Sequence, residues 1–308
     1  MPILSTDDQI ILKIFQTTLL GIGFIFNSWS VIIMIKFQIF LSTFTRIVLL
    51  NQFLFDSLVC LLTIFMLWIV RGGFDENYAL DRLVCIVWSS QTLYWMCATL
   101  SNQTLVWTTF DRYLAVIYPT FYKFHKKLLI TLYLVLSCLM SLAFGLEIGL
   151  LSTIRNRSCI WTPTSESSLF RLSSFSYSIM NYLFPVFLFI FCYFRVIMKM
   201  KNLKNRDNTD GSLKRSTITF TIACFINVIL FIILLLMDNI IFIMQSFDLF
   251  TFDVGSDIQM ISLFLVSINS CINPFIYLTV MRNFRKYFFL INLRNERRKV
   301  EPYRSVIN

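Results

Sequence analysis

IVLLNQFLFDSLVCLLTIFMLWIV, residues 47–70, is an apolar run interrupted by one charged residue, Asp56. About 20 apolar residues in a helix cross the hydrocarbon core of a bilayer. A carboxylate at the centre of such a span costs roughly 2.5–3.5 kcal/mol on insertion scales, so it faces the interior of a bundle and marks a functional position. What Asp56 faces therefore decides the class of molecule.

Six further runs are long enough to span: residues 10–35, 83–110, 128–151, 175–198, 216–247 and 258–281. The chain is 308 residues long, 57% hydrophobic and 14% charged, with a mean hydropathy of +0.71. A soluble domain could not cover that much apolar surface, so most of the chain is solvated by lipid. Lipid cannot satisfy free backbone groups, and the runs lack the alternation of a barrel strand, so each is expected to be helical. The expected fold is an all-α integral membrane bundle of seven spans. Residues 1–9 form a short outer N-terminus, 10–281 the bundle, and 282–308 a short amphipathic helix with a basic tail. Asp7 and Asp8 replace the basic start of a cleavable signal, so the first run reads as a span.

Of the 27 Lys and Arg, only Lys13, Arg71, Arg82, Arg155, Arg157 and Arg171 fall on the N-terminal side of the membrane. The positive-inside rule then places the N-terminus outside and the C-terminus inside. The net charge of +10 reads as this topology signal plus contact with anionic lipid. The basic residues flank spans instead of forming one patch, so no nucleic-acid partner is expected. Six of the eight Cys lie within spans; Cys85 and Cys159 fall on the oxidising side, where a disulfide is expected. Asn156-Arg157-Ser158 is a glycosylation sequon on that side. His125 is alone, and no P-loop, nucleophile elbow or HExxH is present, so no catalysis is expected.

Asp111-Arg112-Tyr113 closes span three, followed by Leu-Ala-Val-Ile-Tyr-Pro119. Ser-Ile-Asn-Ser-Cys-Ile-Asn-Pro-Phe-Ile-Tyr277 closes span seven, Asn-Gln-Phe-Leu-Phe-Asp56 lies in span two, and Asn27 in span one. Together these resemble the rhodopsin-like, class A G-protein-coupled receptors over nearly the whole chain. The spacings agree with that family. Ser101 and Leu105 precede Arg112 by eleven and seven positions, Tyr193 follows Pro185 by eight, and Phe284 follows Tyr277 by seven.

The resemblance implies a cell-surface receptor that binds an extracellular small molecule or short peptide and activates a heterotrimeric G protein. It implies a switch made of Asp111, Arg112, Tyr113, Tyr193, Asn273, Pro274 and Tyr277. It also implies a polar cluster of Asp56, Ser101, Asn269, Ser270 and Asn273, with Asn27 nearby, that either holds a sodium ion or packs as a hydrogen-bonded group. Sodium is the one cofactor so implied; a hard cation takes oxygen ligands.

There are departures. Span six has no Pro and no Trp, leaving Phe225 or Asn227 as substitutes for the usual toggle; span four lacks its Trp. Cys85 stands twenty-seven positions before Arg112, where the family has twenty-five, and a bulge would absorb the excess. These gaps fit a divergent, invertebrate receptor of chemosensory or peptide type. The family's amine-binding Asp position is Tyr94, and its retinal-binding Lys position is Ser267, so neither chemistry is expected.

Gln91, Tyr94, Ala98 and Ser101 share a helical stripe, with Trp95 adjacent, and are the expected ligand-pocket residues. Glu147, Asp238, Asp248, Asp253 and Asp257 lie toward the outer ends of spans four, six and seven and read either as acids solvated at the interface or as contacts for a cationic peptide. A transporter would need internal repeats and paired broken helices, and none is visible. A seven-span chemoreceptor channel would invert the topology.

Overall fold

The computed structural model describes residues 6–37, 42–69, 73, 78–150, 152–155, 157–161, 175–204, 211–247, 249 and 257–289. All seven apolar runs are helices long enough to cross a membrane. They comprise α1 (Thr6–Lys36), α2 (Thr43–Trp68), α3 (Ala79–Val84) running through a π-turn (Cys85–Ser89) toward α4 (Thr92–Ile117), α6 (Lys126–Leu150), α7 (Phe184–Lys204) preceded by a π-segment (Ile179–Leu183), α8 (Gly211–Ser246) and α9 (Asp257–Val280). The short α5 (Pro119–Phe124) joins spans three and four, and α10 (Arg282–Phe289) follows span seven.

Boundaries shift for local reasons. Helix α1 starts at Thr6, before the expected boundary at residue 10. Helix α4 continues past Arg112 through Leu-Ala-Val-Ile117 and stops at Tyr118, because the residue before a proline is pushed out of the helical region. One feature was not expected: β1 (Ser152–Arg155) and β2 (Ser158–Trp161) form an antiparallel hairpin with Ile154 opposite Cys159.

The residue distribution inverts that of a soluble protein. Phe187, Ile190 and Ile233 point outward, where lipid is their solvent. The interior holds Asn27, Asp56, Thr104, Thr109 and Ser267, all fully buried. Apolar burial gives no net drive between helices in lipid, so association rests on close packing and interhelical hydrogen bonds. Such bonds tie α1 to α2 (Ser28 to Ser57, 2.8 Å), α2 to α6 (Asn51 Nδ2 to Tyr133, 2.9 Å) and α2 to α9 (Thr63 to Ser267, 2.9 Å). Helix α10 is fixed by Trp29 donating to the Phe288 carbonyl at 3.1 Å and by Phe284, fully buried and stacked on Phe53.

Spans one and seven pack closely at Gly23. A Cβ there would lie 2.9 Å from the Cys271 Cβ and 3.1 Å from its Cα, so span one could keep a side chain only by moving off span seven. Gly23→Ala is expected to lose about 1–3 kcal/mol of stability, read as a lower melting temperature in detergent. An unchanged melting temperature would show that the two spans are not held together at this point.

Candidate functional site

Three groups of residues line the bundle axis. The middle one surrounds Asp56. Ser101 of span three donates its hydroxyl to one carboxylate oxygen, and Asn273 Nδ2 of span seven donates to the other at 2.6 Å. The expected partners are thus brought together from three spans, and the carboxylate is fully buried. Asn27 does not reach Asp56; its Nδ2 donates to the carbonyls of Gly23 (2.9 Å) and Ser270 (3.0 Å), leaving its buried Oδ1 without a partner. Asn269 and Ser270 are buried nearby on α9. The acceptor atoms gathered here are oxygens, the donor chemistry a hard cation requires. Pro274, next to Asn273, lies inside α9 and removes one helical hydrogen bond there.

The second group lies at the Arg112 end. Arg112 donates through Nε to Asp111 at 3.0 Å and through its terminal nitrogen to both Asp111 and Thr45 (2.8 Å to Thr45). Its guanidinium also sits 4.4 Å from the Phe220 ring centroid of span six. Asp111 accepts from Thr45 at 2.8 Å and from Tyr122 of α5. Burial and the neighbouring Asp111 carboxylate hold the Tyr122 phenol well above its ordinary pKa, so it remains the donor. Tyr122 was not anticipated: its role depends on α5 folding back beneath span two, where Ser42 meets its hydroxyl at 2.5 Å.

Tyr193 and Tyr277 are buried here, and both hydroxyls are without a hydrogen-bond partner. Tyr277 stacks on Phe220, and Tyr193 packs edge-on against Phe225. Tyr113 points elsewhere, onto Phe110, Tyr118 and Phe191.

The third group is an aromatic cluster at the disulfide end. Cys85 in the π-turn is bonded to Cys159 on β2, as expected, with their Cα atoms 5.5 Å apart. The two extra residues between Cys85 and Arg112 are taken up by the π-turn and by Gln91, whose φ of 65° is left-handed. That break corrects the expected stripe: Tyr94, Ala98 and Ser101 share a buried face, but Gln91 caps α4 and is out of phase with them. Below the break, Trp95 lies 5.1 Å from Tyr94, 6.0 Å from Tyr177 and 5.9 Å from Phe242, centroid to centroid. Tyr94 meets Ser267 at 3.3 Å.

Two further corrections concern span six. Asp238 is not a solvated interfacial acid; it is buried, and Ser262 of span seven donates to it at 2.8 Å. Of the two expected substitutes for the toggle, Phe225 packs on Tyr193 and Asn227 is buried, while the fully buried Phe231 packs on Tyr182 and Phe189. Glu147 is half-buried, Asp257 begins α9, and Asn156, Asp248 and Asp253 lie outside the described residues.

The sequence pattern of the 7 transmembrane receptor (rhodopsin family) matches residues 27–277. The chain belongs to that family. It is accordingly a G-protein-coupled receptor that binds a ligand, a multi-pass membrane protein and not an enzyme. Among curated proteins, this rhodopsin-family receptor is similar to the type-1 angiotensin II receptors of Bos taurus and Sus scrofa. Each is 24% identical over 280 residues, spanning 86% of this chain and 76% of the relative. The type-1 angiotensin II receptor A of Rattus norvegicus is 22% identical over 281 residues, with the same coverage.

Proposed function

We propose that this receptor resides in the plasma membrane with its N-terminus outside and its C-terminus inside. It binds an extracellular small molecule or short peptide at the aromatic cluster and activates a heterotrimeric G protein at the Arg112 end. The observation that carries this reading is the holding of Arg112. Its charge is satisfied within the bundle by Asp111, Thr45 and the face of Phe220. Phe220 belongs to span six, so a shift of that helix removes one restraint directly and exposes the arginine beside the basic inner loops.

The pocket residues are Tyr94, Trp95 and Ala98, reached from the side that carries the disulfide. Tyr94 and Ser267 stand where amine and retinal anchors stand in the family and touch each other, so neither anchor is present. The relatives' ligand, angiotensin II, is one member of the class so proposed. The Asp56 group is proposed as an oxygen-lined sodium site, with Asp56 and Ser101 as ligands and Asn269, Ser270 and Asn273 around them. Asn156 is proposed as a glycosylation site.

The switch can be tested without a ligand. Asp111→Asn removes the charge that holds Arg112 and keeps the side chain's shape. Ligand-independent nucleotide exchange on a co-expressed G protein should rise several-fold over the unsubstituted receptor at equal surface level. No rise would mean that Asp111 does not restrain Arg112.

A further inference from the structure

Asp238 is buried on span six beside span seven. It is a carboxylate 6% exposed whose hydrogen bonding among the described residues is one neutral hydroxyl, from Ser262. An ionised carboxylate buried with so little compensation is strongly disfavoured unless a cation meets it. Of the basic residues at this end whose side chains are described, Lys13, Arg82 and Arg157, none pairs with it; the Arg112–Asp111 ion pair lies at the opposite end.

The surroundings of Asp238 are aromatic. Phe242 is one helical turn further along the same helix, 5.0 Å from the ring of Tyr177 and 5.9 Å from that of Trp95. The Tyr94 hydroxyl donates to the Leu263 carbonyl at 3.4 Å, next to Ser262, the partner of Asp238. Ring faces carry negative potential, so they repel a lone carboxylate but attract a cation, more strongly as water is excluded. A packing role for the Asp238–Ser262 bond alone would be met as well by an amide. A charged acid near aromatic rings makes sense electrostatically when a cation completes the group.

Ser178 and Asn181, on the buried face of span five with Tyr177 and Tyr182, have side-chain polar atoms with no partner. They offer hydrogen bonds to a second, uncharged part of the same molecule.

We propose that this aromatic cluster is a binding site for an organic cation, with Asp238 as its counter-charge and Tyr94, Trp95, Tyr177 and Phe242 around it. This rests on the reading of the disulfide end as the ligand side. The anchor is on span six, not at the span-three position occupied by Tyr94. An ammonium or guanidinium group fits, carried by a small amine or by a basic residue of a peptide.

The test uses the full-length receptor in cells carrying Phe242→Cys. Extracellular 2-(trimethylammonium)ethyl methanethiosulfonate and its anionic 2-sulfonatoethyl counterpart are compared for their rates of labelling that cysteine. Rates are corrected for the parent receptor's own cysteines and normalised to free cysteine in solution. The normalised cation-to-anion ratio should exceed about ten, the scale of attraction to a charge in a partly desolvated site. Adding Asp238→Asn, which retains the Ser262 bond, should bring it to near one.

An equal ratio with and without the Asp238 charge overturns the proposal, as does labelling by neither reagent. Protection of the cysteine by millimolar phenethylamine assigns a small amine, and protection by arginine amide assigns a peptide side chain. Protection by neither overturns it. Labelling requires no G protein, so a failure of signalling in the Asp111 and Arg112 variants leaves this result intact, and the converse also holds.

Discussion

Arg112→Ala is expected to reduce G-protein activation to background while the receptor still reaches the cell surface. The two outcomes separate because the partners of Arg112 do not depend on it equally. Asp111 keeps the hydroxyls of Thr45 and Tyr122 as donors when the guanidinium is gone. The carboxylate left behind is therefore not stripped of partners, and the loss of stability stays below the roughly 3–5 kcal/mol seen when a buried pair leaves an uncompensated charge. Signalling has no such reserve, because alanine offers the G protein neither charge nor donors. Surface labelling and nucleotide exchange on the same cells measure both. More than half of the parental exchange at matched surface level would contradict the switch role.

Replacing Asp56 is expected to have the second large effect, in two parts. Asp56→Ala removes the acceptor for the Ser101 hydroxyl and the Asn273 amide. Each buried donor left unsatisfied costs about 1–3 kcal/mol, so the melting temperature of the purified receptor should fall by several degrees. The second part concerns the ion. If sodium is held, the parent receptor melts higher in sodium chloride than in potassium chloride at equal ionic strength. The gain is about 1.4 kcal/mol when sodium is tenfold above its dissociation constant. Asp56→Asn should abolish that difference. Identical melting of the parent receptor in both salts would make the group a hydrogen-bonded contact without an ion.

Features read correctly from sequence were those set by helical period or by membrane side. Asp56, Ser101 and Asn273 sit at matching depths in their spans, and the resemblance to the rhodopsin-like family placed them together. Cys85 and Cys159 lie on one side of the membrane, and their bond followed. What was misread depends on contacts far apart in the chain or on breaks of period. Asp238 looked like an interfacial acid because Ser262, its partner, comes from the next span.

The hairpin at Ser152–Trp161 was invisible because its strands are four residues each and its turn lacks Asn-Gly or Asp-Gly, the usual signal. Its left-handed residue is Arg157. Phe231 was hidden by abundance: with 33 Phe in the chain, composition does not distinguish an axial ring from a lipid-facing one. Tyr122 was missed because nothing in a six-residue connector indicates that it folds under span two.

The π-turn and the left-handed Gln91 act together as a phase joint in span three. Rotation accumulated above residue 91 is not transmitted as helical register to Tyr94, Ser101 and Arg112 below it. Insertions near the disulfide can therefore re-aim the outer segment without rotating the switch residues relative to spans two and seven. The receptor is divisible at this joint into an outer part that can vary and an inner part that cannot. Chimeras of related receptors exchanged at Gln91 should keep their coupling where exchanges made within Thr92–Ile117 lose it.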